Sequence, residues 1–205
     1  MQGPTIAATR AGRAAGIALI ISLAAGCGPG DAPEGWGLSD EHGDILIAST
    51  ASGGGTLAVD YDFTQEVALG APQCIGGYDA VCSGGILLYS SEAPGFGPLE
   101  EDEPAAALFA LVEGIEILLE LTGHSPEASY FLDGIALNDV GDSVVLGESL
   151  EGLHLHGEFR LVLPSGTEPA GDYFLRFKLR SDGEFYADSE DFVIMLHAGD
   201  EHEHE

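Results

Sequence analysis

The stretch Leu153-His154-Leu155-His156-Gly157-Glu158-Phe159-Arg160-Leu161 carries the residue pattern most suited to chemistry. In an extended chain, side chains two apart share a face, so His154 and His156 project together while Leu153, Leu155, Phe159 and Leu161 project the other way, toward a core. Two neighbouring imidazoles on one face lie close enough to ligate one ion, and His-x-His recurs in zinc and copper sites for that reason. Two solvated surface histidines produce the same pattern, so further ligands have to be sought elsewhere in the chain.

His197 ends an apolar run, Phe192-Val-Ile-Met-Leu-His197, on the face opposite Phe192, Ile194 and Leu196. His42 stands in Glu41-His42-Gly43-Asp44-Ile45, with the Asp44 carboxylate two places on. A set of His42, His154 and His156 with Asp44 or His197 supplies three nitrogens and a fourth ligand, enough for tetrahedral zinc. His124, in Thr-Gly-His-Ser-Pro, reads as a turn residue, and the acidic tail holding His202 and His204 reads as a polar chain end or a weak metal-capture segment.

The elements that position these residues read as strands. In 56–63, Leu57, Val59, Tyr61 and Phe63 alternate with Asp60 and Asp62, the period of a half-buried strand. Further strands are expected at 45–49, 86–90, 115–121, 128–132, 143–146, 153–163, 173–180 and 191–197, separated by Gly, Pro, Asn and Asp. One short helix is expected over 101–112, with Pro104 in its first turn. About nine strands and no internal repeat point to an all-β chain, a single β-sandwich of jelly-roll or immunoglobulin-like type spanning 41–198.

The N-terminus reads as an address. Residues 1–26 contain Arg10 and Arg13, no acid, and an apolar run over 14–25. This suits a cleaved signal peptide better than a spanning helix, which needs about 20 apolar residues. Leu23-Ala24-Ala25-Gly26-Cys27 resembles the lipobox of bacterial lipoproteins, which implies lipidation of Cys27 and a lipid-anchored protein of the cell envelope. Residues 27–40 follow as a Gly/Pro-rich tether, and 199–205 form the acidic tail. In an oxidising compartment Cys74 and Cys82, with seven residues between them, read as a local disulfide rather than a thiolate metal site.

Composition limits the partners. The 205 residues include 35 Asp plus Glu and 6 Lys plus Arg, a formal net charge of -29. Nucleic acid and anionic lipid surfaces require clustered cations and are excluded as partners. Removing residues 1–26 takes away two arginines and no acids, so the exported part is more acidic still.

His154-x-His156-x-x-Phe159, followed by Pro169-Ala-Gly171-Asp-Tyr173, is similar to the surface-anchored repeat domain of bacterial extracytoplasmic proteins, the choice-of-anchor M type, whose pattern is His-x-His-x-x-Trp-x-Phe-Thr-x-Pro-Gly-x-Tyr. That family opens with Gly-His-x-Asp-Ile, to which Glu41-His42-Gly43-Asp44-Ile45 is similar, and carries a mid-domain Pro-Gly-Phe like Pro94-Gly95-Phe96. The likeness runs over about 42–179, with Phe159 in place of the Trp and Leu161-Val162 in place of Phe-Thr. Members accompany zinc or manganese ABC transporters or zinc-regulated genes, so the resemblance implies a metal-linked role at the cell surface.

No nucleophile elbow, phosphate loop or His-Glu-x-x-His motif is present, and no enzyme is expected. The resulting expectation is a lipid-anchored domain that binds a divalent transition metal, zinc first with manganese as an alternative, for buffering or delivery to an uptake system such as a metal ABC transporter. Two alternatives stay open: an envelope sandwich that binds a protein or glycan partner, and a calcium-stabilised surface domain using the acidic turns Asn138-Asp139-Val-Gly141-Asp142 and Asp188-Ser-Glu190-Asp191. A copper carrier rich in methionine is disfavoured, since Met195 is the sole methionine after residue 26.

Overall fold

The structure, a computed structural model, describes residues 43–78, 82–149, 152–169, 171–183 and 185–199, all within one compact unit. The signal segment, Cys27, the tether, His42 and the tail histidines lie outside the described residues. Among the described residues no helix is long and apolar enough to cross a membrane.

The chain is all-β. β1 (Ile45–Ala51), β2 (Gly54–Asp60) and β6 (Phe96–Pro98) form one sheet in the order β2-β1-β6. β3 (Val67–Ala68), β7 (Glu116–His124), β10 (Ser143–Glu148), β12 (Tyr173–Ser181) and β13 (Phe192–His197) form a second, ordered β10-β7-β12-β13-β3. β4 (Gln73–Ile75), β5 (Ile86–Ser91), β8 (Ala128–Leu132), β9 (Ile135–Leu137) and β11 (Glu158–Pro164) form the third, ordered β4-β5-β11-β8-β9.

Alternation decides which face is buried. Along β12, Tyr173, Leu175, Phe177 and Leu179 are buried, and Ile117, Leu119 and Leu121 of β7 do the same one strand away. Phe159, Leu161 and Leu163 of β11 and Ala128, Tyr130 and Leu132 of β8 meet them from the other five-stranded sheet, so the two sheets pack as a sandwich. Each buried leucine, isoleucine or phenylalanine among them contributes about 1.5–3 kcal/mol. At the centre Tyr130 is ringed by Phe96, Phe159 and Phe177, with centroids at 6.1, 5.0 and 5.7 Å. The Tyr130 hydroxyl is buried against the Gly157 backbone and makes no well-formed hydrogen bond among the described residues. Burial pushes this phenol well above its ordinary pKa, the Gly157 amide opposes that rise, and Asp133 adds to it.

Four expectations need correction. The strand expected over 56–63 ends at Asp60, beyond which the chain turns, with the Phe63 N–H donating to the Tyr61 carbonyl and the Gln65 N–H to the Asp62 carbonyl, each at 3.1 Å. Residues 101–112 form turns, not a helix: Glu103 and Leu108 exchange backbone hydrogen bonds of 2.8 and 3.2 Å, and Ala107 sits at φ 56°, where a helix cannot continue. The strand expected over 153–163 begins only at Glu158, because Leu155 pairs with Phe96 while β11 pairs with β5 and β8. His124 closes β7 instead of lying in a turn, opposite Leu175, with its Nδ1 2.8 Å from the Ser125 carbonyl oxygen.

The expected disulfide is present, joining Cys74 and Cys82. It staples the loop between β4 and β5, and a Cβ at Gly77 would overlap the Cys74 sulfur, so the loop closes only over glycine.

Candidate metal centre

Three backbone segments meet at one end of the small sheet. Ile45 pairs in parallel with Phe96, and the Ile45 N–H donates to the Gly95 carbonyl at 2.9 Å. Phe96 in turn exchanges two hydrogen bonds with Leu155, 2.8 and 2.9 Å. Ile45 and Phe96 are fully buried and Leu155 packs partly against the core. Their neighbours Asp44, Gly95, His154 and His156 are thereby gathered together: a single bridged residue, Leu155, suffices to put His154 and His156 on one face.

The candidate ligand atoms converge. His154 Nε2 lies 3.2 Å from Asp44 Oδ2 and 3.2 Å from His156 Nε2, and His156 Nε2 lies 4.0 Å from Asp44 Oδ2. The point equidistant from the corners of such a triangle is about 2 Å from each, which matches zinc–nitrogen and zinc–carboxylate bond lengths. Asp44 is 9% exposed, His154 53% and His156 37%, so the carboxylate forms the floor of the cluster and the imidazoles its open side.

Each of two ligands is held by its other atom. Asp44 Oδ1 accepts the Gly95 N–H at 2.8 Å, which directs Oδ2 at the histidines. His156 Nδ1 lies 3.1 Å from the Glu92 carbonyl oxygen. A carbonyl only accepts, so Nδ1 carries the proton and Nε2 presents its lone pair to the cluster. A metal-binding imidazole is commonly oriented by such a bond. The donor set is two nitrogens and one carboxylate oxygen, without sulfur. It suits zinc, manganese or iron, and falls short of the six to eight oxygens that calcium takes.

Of the five ligands expected, Asp44, His154 and His156 come together. His197 does not join them: it ends β13 beside β3, with Nδ1 3.5 Å from Glu66 Oε2. The acidic turns considered for calcium are engaged by the protein. Asp142 Oδ2 accepts the N–H groups of Asn138 and Asp139 at 2.9 Å each, which holds its carboxyl below the ordinary range. Asp188 faces Lys178 at 3.2 Å and Arg180 at 3.7 Å, and Asp191 accepts from the Thr122 hydroxyl at 3.2 Å. Glu92 and Gly95 act through their backbones, and only the Pro94-Gly95-Phe96 triplet in the sequence marked their neighbourhood.

No family model, curated protein or solved structure matches this chain.

Proposed function

We propose that this is a non-catalytic, lipid-anchored domain of the bacterial cell envelope that binds a divalent transition metal, zinc first, and buffers it or hands it to an uptake system. The observation that carries the reading is the meeting of His154 Nε2, His156 Nε2 and Asp44 Oδ2 at 3.2 to 4.0 Å. Three protein ligands leave a fourth position for water, for His42 two residues before Asp44, or for a ligand from an acceptor. The strongly negative chain favours approach of cations nonselectively, and the imidazoles supply selectivity. Ligation requires unprotonated nitrogen, so affinity falls on acidification.

Equilibrium dialysis of the full chain against zinc, manganese, copper and calcium at neutral pH tests this. One zinc per chain is expected, lost on replacing His154 and His156 together by Ala and retained on deleting 200–205. Uptake that vanishes with the tail alone places the metal there instead.

A second reading, a sandwich that docks a protein or glycan, draws on one observation. Ile75 and Ile86 pair across β4 and β5 and are both exposed, Val162 is exposed on the next strand, and Tyr78 on the stapled loop is 89% exposed. Absence of zinc uptake, with partner capture lost on Tyr78→Ser, would favour it.

A further inference from the structure

Resting on the metal-binding reading above, we infer that Gly95 is a positioning residue of the site, holding Asp44 through its N–H and leaving, by its missing side chain, the space in which Asp44 and His156 approach. Gly95 is buried and its φ lies outside the left-handed region, so its backbone conformation is open to any residue. What excludes a side chain is the site itself. A Cβ there would lie 2.7 Å from His156 Cε1, 2.9 Å from His156 Nδ1 and 2.9 Å from Asp44 Oδ1. These are atoms of one ring and one carboxylate that the backbone already holds, His156 through Glu92 and Asp44 through Gly95. Turning the ring away breaks the Glu92 bond, and moving the carboxylate breaks the Gly95 bond.

The segment cannot shift to make room. The Gly95 carbonyl accepts from Ile45, and Phe96 is bonded to Leu155 on the other side. Gly97, two residues on in β6, provides the contrast: it also lies outside the left-handed region, and the nearest atom to a Cβ there is Leu46 Cδ2 at 4.0 Å. The two glycines therefore separate the loss of a glycine from the loss of the space.

The test is zinc affinity of the full chain by competition titration, with cobalt(II) absorption as a reporter of coordination. Gly95→Ala is expected to weaken zinc about 10- to 100-fold, the usual effect of disturbing a ligand's support, and to alter the cobalt spectrum. Gly97→Ala is expected to leave both unchanged. Wild-type affinity and spectrum in Gly95→Ala would overturn the inference while leaving the metal site standing; a wild-type chain that binds no zinc would overturn both. Should Gly95→Ala fail to fold, amide exchange in the metal-free wild type decides: the Gly95 N–H is protected and loses protection in Asp44→Ala, and rapid exchange in the wild type contradicts the inference.

Discussion

Gly157, directly after His156, provides the most demanding test of the packing beneath the site. A Cβ there would overlap the Tyr130 hydroxyl and Cζ and lie 2.8 Å from Cε2. Tyr130 has no retreat, since Phe96, Phe159 and Phe177 surround its ring and all four residues are fully buried. Overpacking of this kind costs about 1–3 kcal/mol, and overlap with a rigid ring places Gly157→Ala near the upper end. In a domain of this size that corresponds to a fall in Tm of about 6–12 °C. Tyr130→Phe alone is expected to cost less than about 1 kcal/mol, because the contact between the hydroxyl and the Gly157 amide is not a well-formed hydrogen bond. Combining the two removes the nearest overlap but not the ring contact, so the double variant should recover about 1 kcal/mol or more relative to additivity. Urea and thermal unfolding of metal-free protein, followed by circular dichroism, measure all four corners of the cycle. A Gly157→Ala variant as stable as the wild type, or the same cost in both backgrounds, would refute the packing argument.

Asp44 separates stability from metal binding. Asp44→Ala leaves the buried Gly95 N–H without its acceptor and should destabilise the metal-free domain by about 1–3 kcal/mol. Asp44→Asn keeps a carbonyl acceptor and should cost less by the same unfolding assay, yet both should weaken zinc. Reduction of the Cys74–Cys82 bond opens a short loop and should lower stability by about 2–3 kcal/mol, with zinc affinity unchanged because the candidate ligands among the described residues, Asp44, His154 and His156, offer no sulfur. The Asp142 carboxyl is held below its ordinary value by the Asp139 and Asn138 amides. Its contribution is present above the ordinary carboxylate range and is lost as pH falls through the lower folded value. NMR titration should show this depression, and Asp142→Asn should flatten the acid limb of the stability curve.

The sandwich was legible because its long strands alternate cleanly: Tyr173, Leu175, Phe177 and Leu179 along β12 are all buried. The short strands β3, β4, β6 and β9 were not, since two or three residues carry no period. Apolar residues after Pro104 resembled a helix, but Ala107 turns the chain and Phe109 pairs with Ser49 far away in sequence. The same limit applies to the site. His154 and His156 were readable as a pair from local spacing. Whether Asp44 or His197 joined them depended on which strands are neighbours, and that is settled by the Phe96–Leu155 and Ile45–Phe96 pairings. His197 instead follows β13 to the edge beside β3.

X-ray absorption at the zinc edge of the one-to-one complex tests the metal account most directly. A shell containing two imidazole nitrogens plus oxygen, at about 2.0–2.2 Å and reduced to one imidazole in His156→Ala, is the predicted result. An all-oxygen shell, a sulfur contribution, or a chain that takes up no zinc would contradict it.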